Sequence, residues 1–451
     1  MKNITNPVPT YKIEVSALTK AEASTETEPL IETSAEDQGS TSDRSLDEKP
    51  PAIAVLPFVN MSGDPEQEYF ADGISEDIIT NLSLWRTFPV ISRNSSFTFR
   101  GQSHNLKHVA HELGARYIVE GSVRKGGNRV RITAQLIDAN EDHHLWSEKW
   151  DRTLEDIFDV QDEVSEAIAR RVAPSVTGHE QVRLIRKRPK NLSAWEEYLQ
   201  GLNCYYNESK HTDYEDSGLA QARLHWEKAI ELDQTLSDAY AYLAILGSSE
   251  LVQRITKDPE KTLDAILADG RKAKTLNPEN PLALLGIAKC YFFRGDHPTA
   301  LEYAQRAVQF NPSFALSFYQ QGLVQVHIGE YQQGESSIIK AYELSPADPE
   351  LMSFHAVLYF AGLGQEKYEE ALEAIDKALC QHKSGHHLGF RAAVLGHLER
   401  GSEAKAALDQ YLTLRPNLKT RDDYRSIFVP NSALADPIIE GLVKAGWEPK
   451  E

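Results

Sequence analysis

The sequence predicts a multi-domain chain of the α+β kind, a small mixed α/β domain followed by an all-α solenoid. Three observations predict it. Between residues 52 and 175, short apolar runs alternate with helical patterns and include one hairpin. Beyond residue 194 a two-helix pattern recurs, and Pro278, Pro312 and Pro346 mark it at a spacing of 34 residues. Before residue 52 apolar residues are too sparse to offset the entropy of ordering the chain.

The 451 residues give room for roughly two to four domains. Hydrophobic content of 41% and charged content of 25% are ordinary for a globular protein. A net charge of −19 argues against whole-surface attraction to nucleic acid or anionic lipid, so no direct nucleic-acid partner is expected. Cys204, Cys290 and Cys380 are far apart and give no metal-ligand spacing; they read as reduced thiols. No apolar run reaches the ~18 residues of a membrane span. The first residues, MKNITNPVPTYKIEV, lack the apolar core of a signal peptide. A cytoplasmic location is expected.

Residues 1–51 form an acidic arm rich in Ser, Thr, Glu, Asp and Pro, expected to be disordered. In the domain of residues 52–175, AIAVLPF (52–58) reads as a buried strand and FPVIS (88–92) as a second. NLKHVAHELG puts Leu106, Val109 and Leu113 on one helix face, and a strand follows from Tyr117. VRKGGNRVRITAQLID has two β-rich runs flanking Gly-Gly-Asn, the chemistry of a hairpin turn. HHLWSEKWD (143–151) alternates as a strand does, and Ile157, Val160, Val164 and Ile168 then recur at helical spacing up to Pro174. The run RLIRKRPK falls in a basic linker, 176–193, read as a solvated connection.

Residues 194–416 hold about six helix pairs. Ala300 and Ala307 stand 12 and 5 residues before Pro312, where two packed helices need small side chains. Ala222 and Ala229 stand at the same offsets from Gln234, with Trp226 between them, and Ala341, Ala378 and Ala404 continue the pattern. Tyr205, Tyr291 and Tyr359 fill an aromatic slot of the first helices. The step from Gln234 to Pro278 is ten residues too long, placing an insertion in GSSELVQRITKDPEKT. The step after Pro346 is three too long, placed near GLGQEK. Residues 417–451 are expected to supply the capping helix that an open stack requires.

The stretch YFADGISEDIITNL (69–82) sets Asp72, Glu76 and Asp77 close together. Each has a local structural use. Ser75 suits a helix N-cap, Glu76 and Asp77 its first turn, and Ile74 and Ile79 a hydrophobic staple, with Asp72-Gly73 as the entering turn. His143-His144 and His386-His387 lack further ligands at zinc spacing. The Gly pair of RKGGN lacks the Lys-Ser/Thr of a phosphate loop, and no G-x-S-x-G or H-E-x-x-H occurs. Cys290 reads as a core residue. No catalytic residue, metal site or cofactor is expected, and the chain is not expected to be an enzyme.

The period and its small, aromatic and proline positions resemble tetratricopeptide repeats. AIAVLPFVNMSGDPEQEYFADGISEDIITNLS, VISRNSSFTFRG, ELGARYIVEGSVRKGGNRVRITAQLIDA and HHLWSEKWDRTLEDIFDVQDEV are similar to the TolB-like amino-terminal domain of bacterial multidomain proteins. That family's domain commonly stands between an output domain and tetratricopeptide repeats. The output domain is a class III adenylate/guanylate cyclase or a winged-helix DNA-binding domain of the CadC type. Here the acidic arm stands where that output domain is expected, so the resemblance implies the fold and not the enzymatic activity.

Stacked helix pairs create a groove lined by first-helix residues. The register puts Lys289, Phe292, Tyr319 and His327 on it, either as ligand contacts or as packing between repeats. An aromatic and basic groove suits an extended or helical peptide, including an acidic one, and the chain's own arm is one candidate. The sequence thus predicts a protein-interaction scaffold that binds a protein or peptide through its repeats. One alternative is a regulatory or ligand-sensing module related to class III cyclases; another is a transcription regulator dependent on a DNA-binding partner.

Overall fold

The computed structural model describes residues 50–450 apart from 102–104, 173–190, 208–216 and 382–384. The expected disordered arm and most of the basic linker lie outside the described residues.

Five strands make one sheet: β1 (Ile53–Val55), β2 (Val59–Asn60), β3 (Tyr117–Gly126), β4 (Arg129–Asp138) and β5 (His143–Thr153). β1 and β2 both run parallel to β3, and β3, β4 and β5 pair antiparallel in that order. Gly126 pairs with Arg129, which leaves Gly127-Asn128 as a two-residue turn, and Gly127 adopts φ 60°. Alternation divides β1 between two cores. Ile53 and Val55 join the side packed by α1 (Glu68–Ser83) and α4 (Ile157–Val172). Ala54 joins Ile118, Val109 and Leu113 on the side of α3 (Leu106–Leu113). Ile157, Val160, Val164 and Ile168 of α4 are fully buried, as their spacing predicts.

FPVIS is not a strand. It makes a single parallel bridge, Val90 to Ile53, and is followed by the short helix α2 (Arg93–Phe97). Pro89 has no N–H to donate, and the next outward donors are used elsewhere. The Val90 amide donates to Ser313 Oγ at 3.2 Å and the Ser92 amide to Leu344 O at 2.8 Å, both in the solenoid.

The start of α1 also differs from expectation. The helix begins at Glu68, after a 3-10 turn over Pro65–Gln67 capped by Asp64, so Ser75 is an interior residue. Ser75 Oγ donates to Ala71 O at 2.9 Å and accepts the Phe58 amide at 2.8 Å. Gly73 is not a turn glycine. A Cβ there would collide with Leu199, so its small size permits α1 to lie directly against the solenoid's first helix.

The solenoid contains six antiparallel pairs among the described residues. They are α5 (Leu192–Tyr206) with α6 (Gly218–Leu232), α7 (Ser237–Val252) with α8 (Pro259–Leu276), and α9 (Pro281–Phe293) with α10 (His297–Phe310). There follow α11 (Ala315–His327) with α12 (Tyr331–Leu344), α13 (Leu351–Gly364) with α14 (Tyr368–Gln381), and α15 (Gly385–His397) with α16 (Gly401–Leu414). Ala222, Ala229, Ala300, Ala307, Ala341, Ala378 and Ala404 are all fully buried where second helices meet their neighbours. α17 (Arg421–Arg425) and α18 (Ala435–Lys444) follow, and α18 packs Ile438, Ile439 and Leu442 into the core beside α15.

Both irregular steps have a structural account. α7 has 16 residues against 13 in α9, and α8 has 18 against 14 in α10; their connection takes up the remainder. The extra residues after Pro346 do not lie near GLGQEK. Most fall in the loop before α13, whose Ser345, Ala347 and Asp348 bind the α/β domain.

One buried cluster runs unbroken from Ile53 and Phe70 through Trp195 and Leu199 to Trp226 and Leu246. Trp195 meets Phe70 edge-on at 5.6 Å and Phe158 at 5.1 Å. Removing such an aromatic from a packed core costs about 3–5 kcal/mol. We expect calorimetry to give one cooperative transition for residues 50–450 of the native chain and two separated transitions in Trp195→Ala.

Candidate functional site

First helices contact their counterparts in the next repeat more closely than second helices do, so the first helices form the inner side of the curve. Its two edges are occupied by different parts of the chain. The α/β domain sits at the amino-terminal ends of the first helices, and residues 427–434 cross the other edge.

The amino-terminal edge is tied by polar groups of the loops between repeats. Asn311 Nδ2 donates to Ser83 Oγ at 2.9 Å, and Arg86 donates to Phe310 O at 3.2 Å. Ser345 Oγ lies 2.5 Å from Ser92 Oγ and 3.0 Å from Ser95 Oγ, while Asn94 Nδ2 donates to Asp348 at 3.2 Å. The carboxylates Asp72, Glu76 and Asp77 of α1 serve this docking and the domain's own packing. Asp72 pairs with Arg100, and Asp77 accepts from Gln161 at 2.9 Å. Glu76 reaches Arg93 at 3.0 Å and accepts the Tyr242 hydroxyl at 3.0 Å. The Arg93 guanidinium lies 3.7 Å from the centre of the Tyr206 ring. Burial, with the charge of Glu76 added, pushes the Tyr206 and Tyr242 phenols far above their ordinary range.

Between this helix and the loops lies a cavity of about 450 Å³, lined by Glu76, Thr80, Arg86, Tyr206, Tyr242 and Leu316 among others. That volume lies within the ordinary range of small-molecule sites, about 300–1,000 Å³.

The four groove residues are placed as follows. Phe292 and His327 come together edge to face at 4.8 Å, both buried, with His297 6.0 Å and Phe360 6.2 Å from His327. The His327 Nδ1 bonds Leu323 O at 2.7 Å, and a carbonyl only accepts, so Nδ1 carries the proton. Burial pushes this imidazole down to about 4. Tyr319 stacks on Phe354 at 5.4 Å, and burial pushes its phenol up to about 12. Lys289 differs from these three. It is half-buried one turn before Phe292, on the same side of α9. Among the described residues it makes neither a hydrogen bond nor an ion pair. Burial alone pushes its ammonium down to about 8.

Sequence reasoning missed the covering of both edges. Asn311, Ser313 and Ser345 were legible only as turn residues beside Pro312 and Pro346, and the IFVPNSAL segment only as the approach to a cap.

Residues 49–167 match the family model for the second domain of HilA/YgeH-like transcriptional regulators. The TolB-like label expected for these residues is not supported. A putative adenylate cyclase 3 of Rhizobium meliloti (strain 1021) is 42% identical over 204 residues, which is 45% of this chain. The match spans only about a third of that relative, 34% of its length. Among solved structures, PilF of Pseudomonas aeruginosa aligns with a TM-score of 0.37 at 19% identity, over 50% of this chain and 93% of its own. A thermophilic tetratricopeptide-repeat protein of Thermus thermophilus aligns at 0.34 and 22% identity, over 46% and 98%. TolB of Acinetobacter baumannii aligns at 0.22 and 21% identity, over 28% and 29%. The fold is read from the helices and strands themselves. No helix among the described residues is long and apolar enough to cross a membrane.

Lys289 makes a stability prediction whose sign is fixed. Its folded value of about 8 lies below the ordinary 10.5, so between those values only the unfolded chain holds the proton. Stability therefore rises with pH through that window, and below it the cost of the buried charge is fully present. We expect Lys289→Met to be more stable than the native chain at pH 7 by on the order of 1–3 kcal/mol. Urea unfolding should show the difference shrinking toward pH 10.

Proposed function

We propose that the chain is a non-catalytic scaffold whose inner solenoid face binds an acidic segment of a partner protein at Lys289. In this reading residues 52–175 are an accessory domain, 194–416 the binding solenoid and 417–451 its cap. Lys289 carries the reading. A half-buried ammonium without a counter-ion is partly desolvated at a cost, and a partner carboxylate offsets that cost at the moment of binding. Tyr319, half-buried in the next first helix and stacked on Phe354, supplies apolar surface nearby. The net charge of −19 argues against nucleic acid as the direct partner. In a regulator of the HilA/YgeH-like kind, DNA contact then falls to a DNA-binding partner.

The test is fluorescence anisotropy on the full chain with a labelled Glu/Leu octapeptide and its Gln/Leu counterpart. The native chain should prefer the acidic peptide, and Lys289→Glu should lose at least about tenfold in affinity, or ~1.4 kcal/mol. Equal binding of both peptides, or equal binding by the variant, counts against the proposal.

A second reading is favoured by the junction cavity, together with the relative named as an adenylate cyclase. A small molecule held between Tyr206, Tyr242 and Leu316 would make the chain a ligand-sensing regulatory module. Native mass spectrometry of the chain purified from its own cells should then show a retained mass that Leu316→Trp, which fills the cavity, removes. An unchanged bare-chain mass in both removes this reading.

A further inference from the structure

The connection between α17 and α18 is not a plain linker. Residues 427–434 run across the carboxy-terminal ends of successive first helices. The Ala433 amide donates to His327 O at 2.8 Å, His297 Nε2 lies 2.9 Å from Pro430 O, and Asn431 Nδ2 donates to Gly295 O at 3.2 Å. Because a carbonyl only accepts, His297 Nε2 is the donor in that contact. Val429 packs against the Phe292 and Val324 cluster, and Phe428 lies 6.4 Å from Phe360 and 6.3 Å from Phe390. The solenoid is shaped to receive it. Gly295, at φ 75°, has no room for a Cβ, which would stand 2.8 Å from Pro430 Cβ.

We propose that this strap is an internal ligand, lying where a partner protein's extended segment of the same chemistry docks. That segment carries an aromatic residue followed by a β-branched residue, Pro and Asn, as Phe428, Val429, Pro430 and Asn431 do. Three features carry the inference. Two of the strap's three polar contacts use its own backbone, Pro430 O and the Ala433 amide, so they are open to any extended chain. Pro430, Asn431 and Ala433 remain exposed, so the middle of the strap lies on the surface, while Phe428 and Val429 are half-buried and Leu434 anchors its end in the core. Its flanks are fixed independently, with Tyr424 buried on one side and Ile438, Ile439 and Leu442 on the other. A segment tethered at both ends whose middle residues are exposed opens locally without unfolding its neighbours. It also competes with a free peptide at high effective concentration.

The inference shares with the preceding section only the premise that the inner face binds protein, and the two are separable. A synthetic peptide of residues 425–435, RSIFVPNSALA, contains no carboxylate side chain. Its binding should therefore be unchanged in Lys289→Met, whereas binding of the acidic octapeptide should fall. The experiment titrates the strap peptide into the full native chain and into the Phe428→Ser/Val429→Ser double variant. Circular dichroism establishes that the variant is folded, and Asn431→Gly serves as a milder second variant. Binding at least about tenfold tighter to the released variants than to the native chain supports the proposal. Absence of that gain in folded variants overturns it, as does dimerisation of the variants by strap exchange. Hydrogen exchange gives an independent reading on the native chain. The Ala433 amide should exchange at least about a hundredfold faster than the interior amides of α18, whereas equal protection would make the strap part of the global fold and overturn the proposal.

Discussion

The close approach of α1 to α5 is the contact on which the remaining architecture depends. It is possible because position 73 has no side chain, and Leu199 occupies the space a Cβ would take. With the two helices in contact, Phe70, Phe158 and Trp195 join into one buried group, and the α/β domain and the first repeats share a core. Apolar burial of this kind supplies most of the free energy, but it has little directional preference. The serine and asparagine contacts of the loops are each worth only about 1 kcal/mol, yet they fix the angle at which the domain lies on the helix ends. The cavity between α1 and the loops lies within this docked junction.

Asp72, Glu76 and Asp77 show why residue type alone is a poor guide to chemistry. Asp72 is turned to Arg100 and Asp77 to Gln161, while Glu76 is held by Arg93 and the Tyr242 hydroxyl. Three nearby carboxylates therefore serve three separate attachments and do not converge on a shared point. Of the three, Glu76 bears on the solenoid, because its hydroxyl partner belongs to the second repeat.

Much of the fold was legible because its signals are local. The helical spacing of α4, the Gly-Asn turn of the hairpin and the buried alanines of the repeats each follow from periodicity or backbone freedom within one or two elements. Three of the misreadings share one cause, which is contact between segments distant in sequence. Gly73 resembles a turn residue until Leu199 is placed against it. FPVIS resembles a strand until Ser313 and Leu344 take its donors. The added residues after Pro346 could not be assigned to the docking loop without the domain that they touch. The candidate site followed the same division. Helical register suggests which residues face inward, but whether Phe292 and His327 meet solvent or the chain's own carboxy-terminal segment is a tertiary fact.

The docked domain touches the turns that precede α11 and α13, and through Glu76 it reaches α7 as well. Successive repeats are thereby pinned to a single rigid ruler, so their rise and pitch cannot drift independently. Whole-repeat duplication or loss, the ordinary way such arrays change length, is compatible with this arrangement only beyond the last pinned turn. The extra residues of the α7–α8 pair, which lengthen the helices and the connection between them, illustrate the other permitted route. Growth there enlarges one repeat while leaving the spacing of the turns on the ruler untouched.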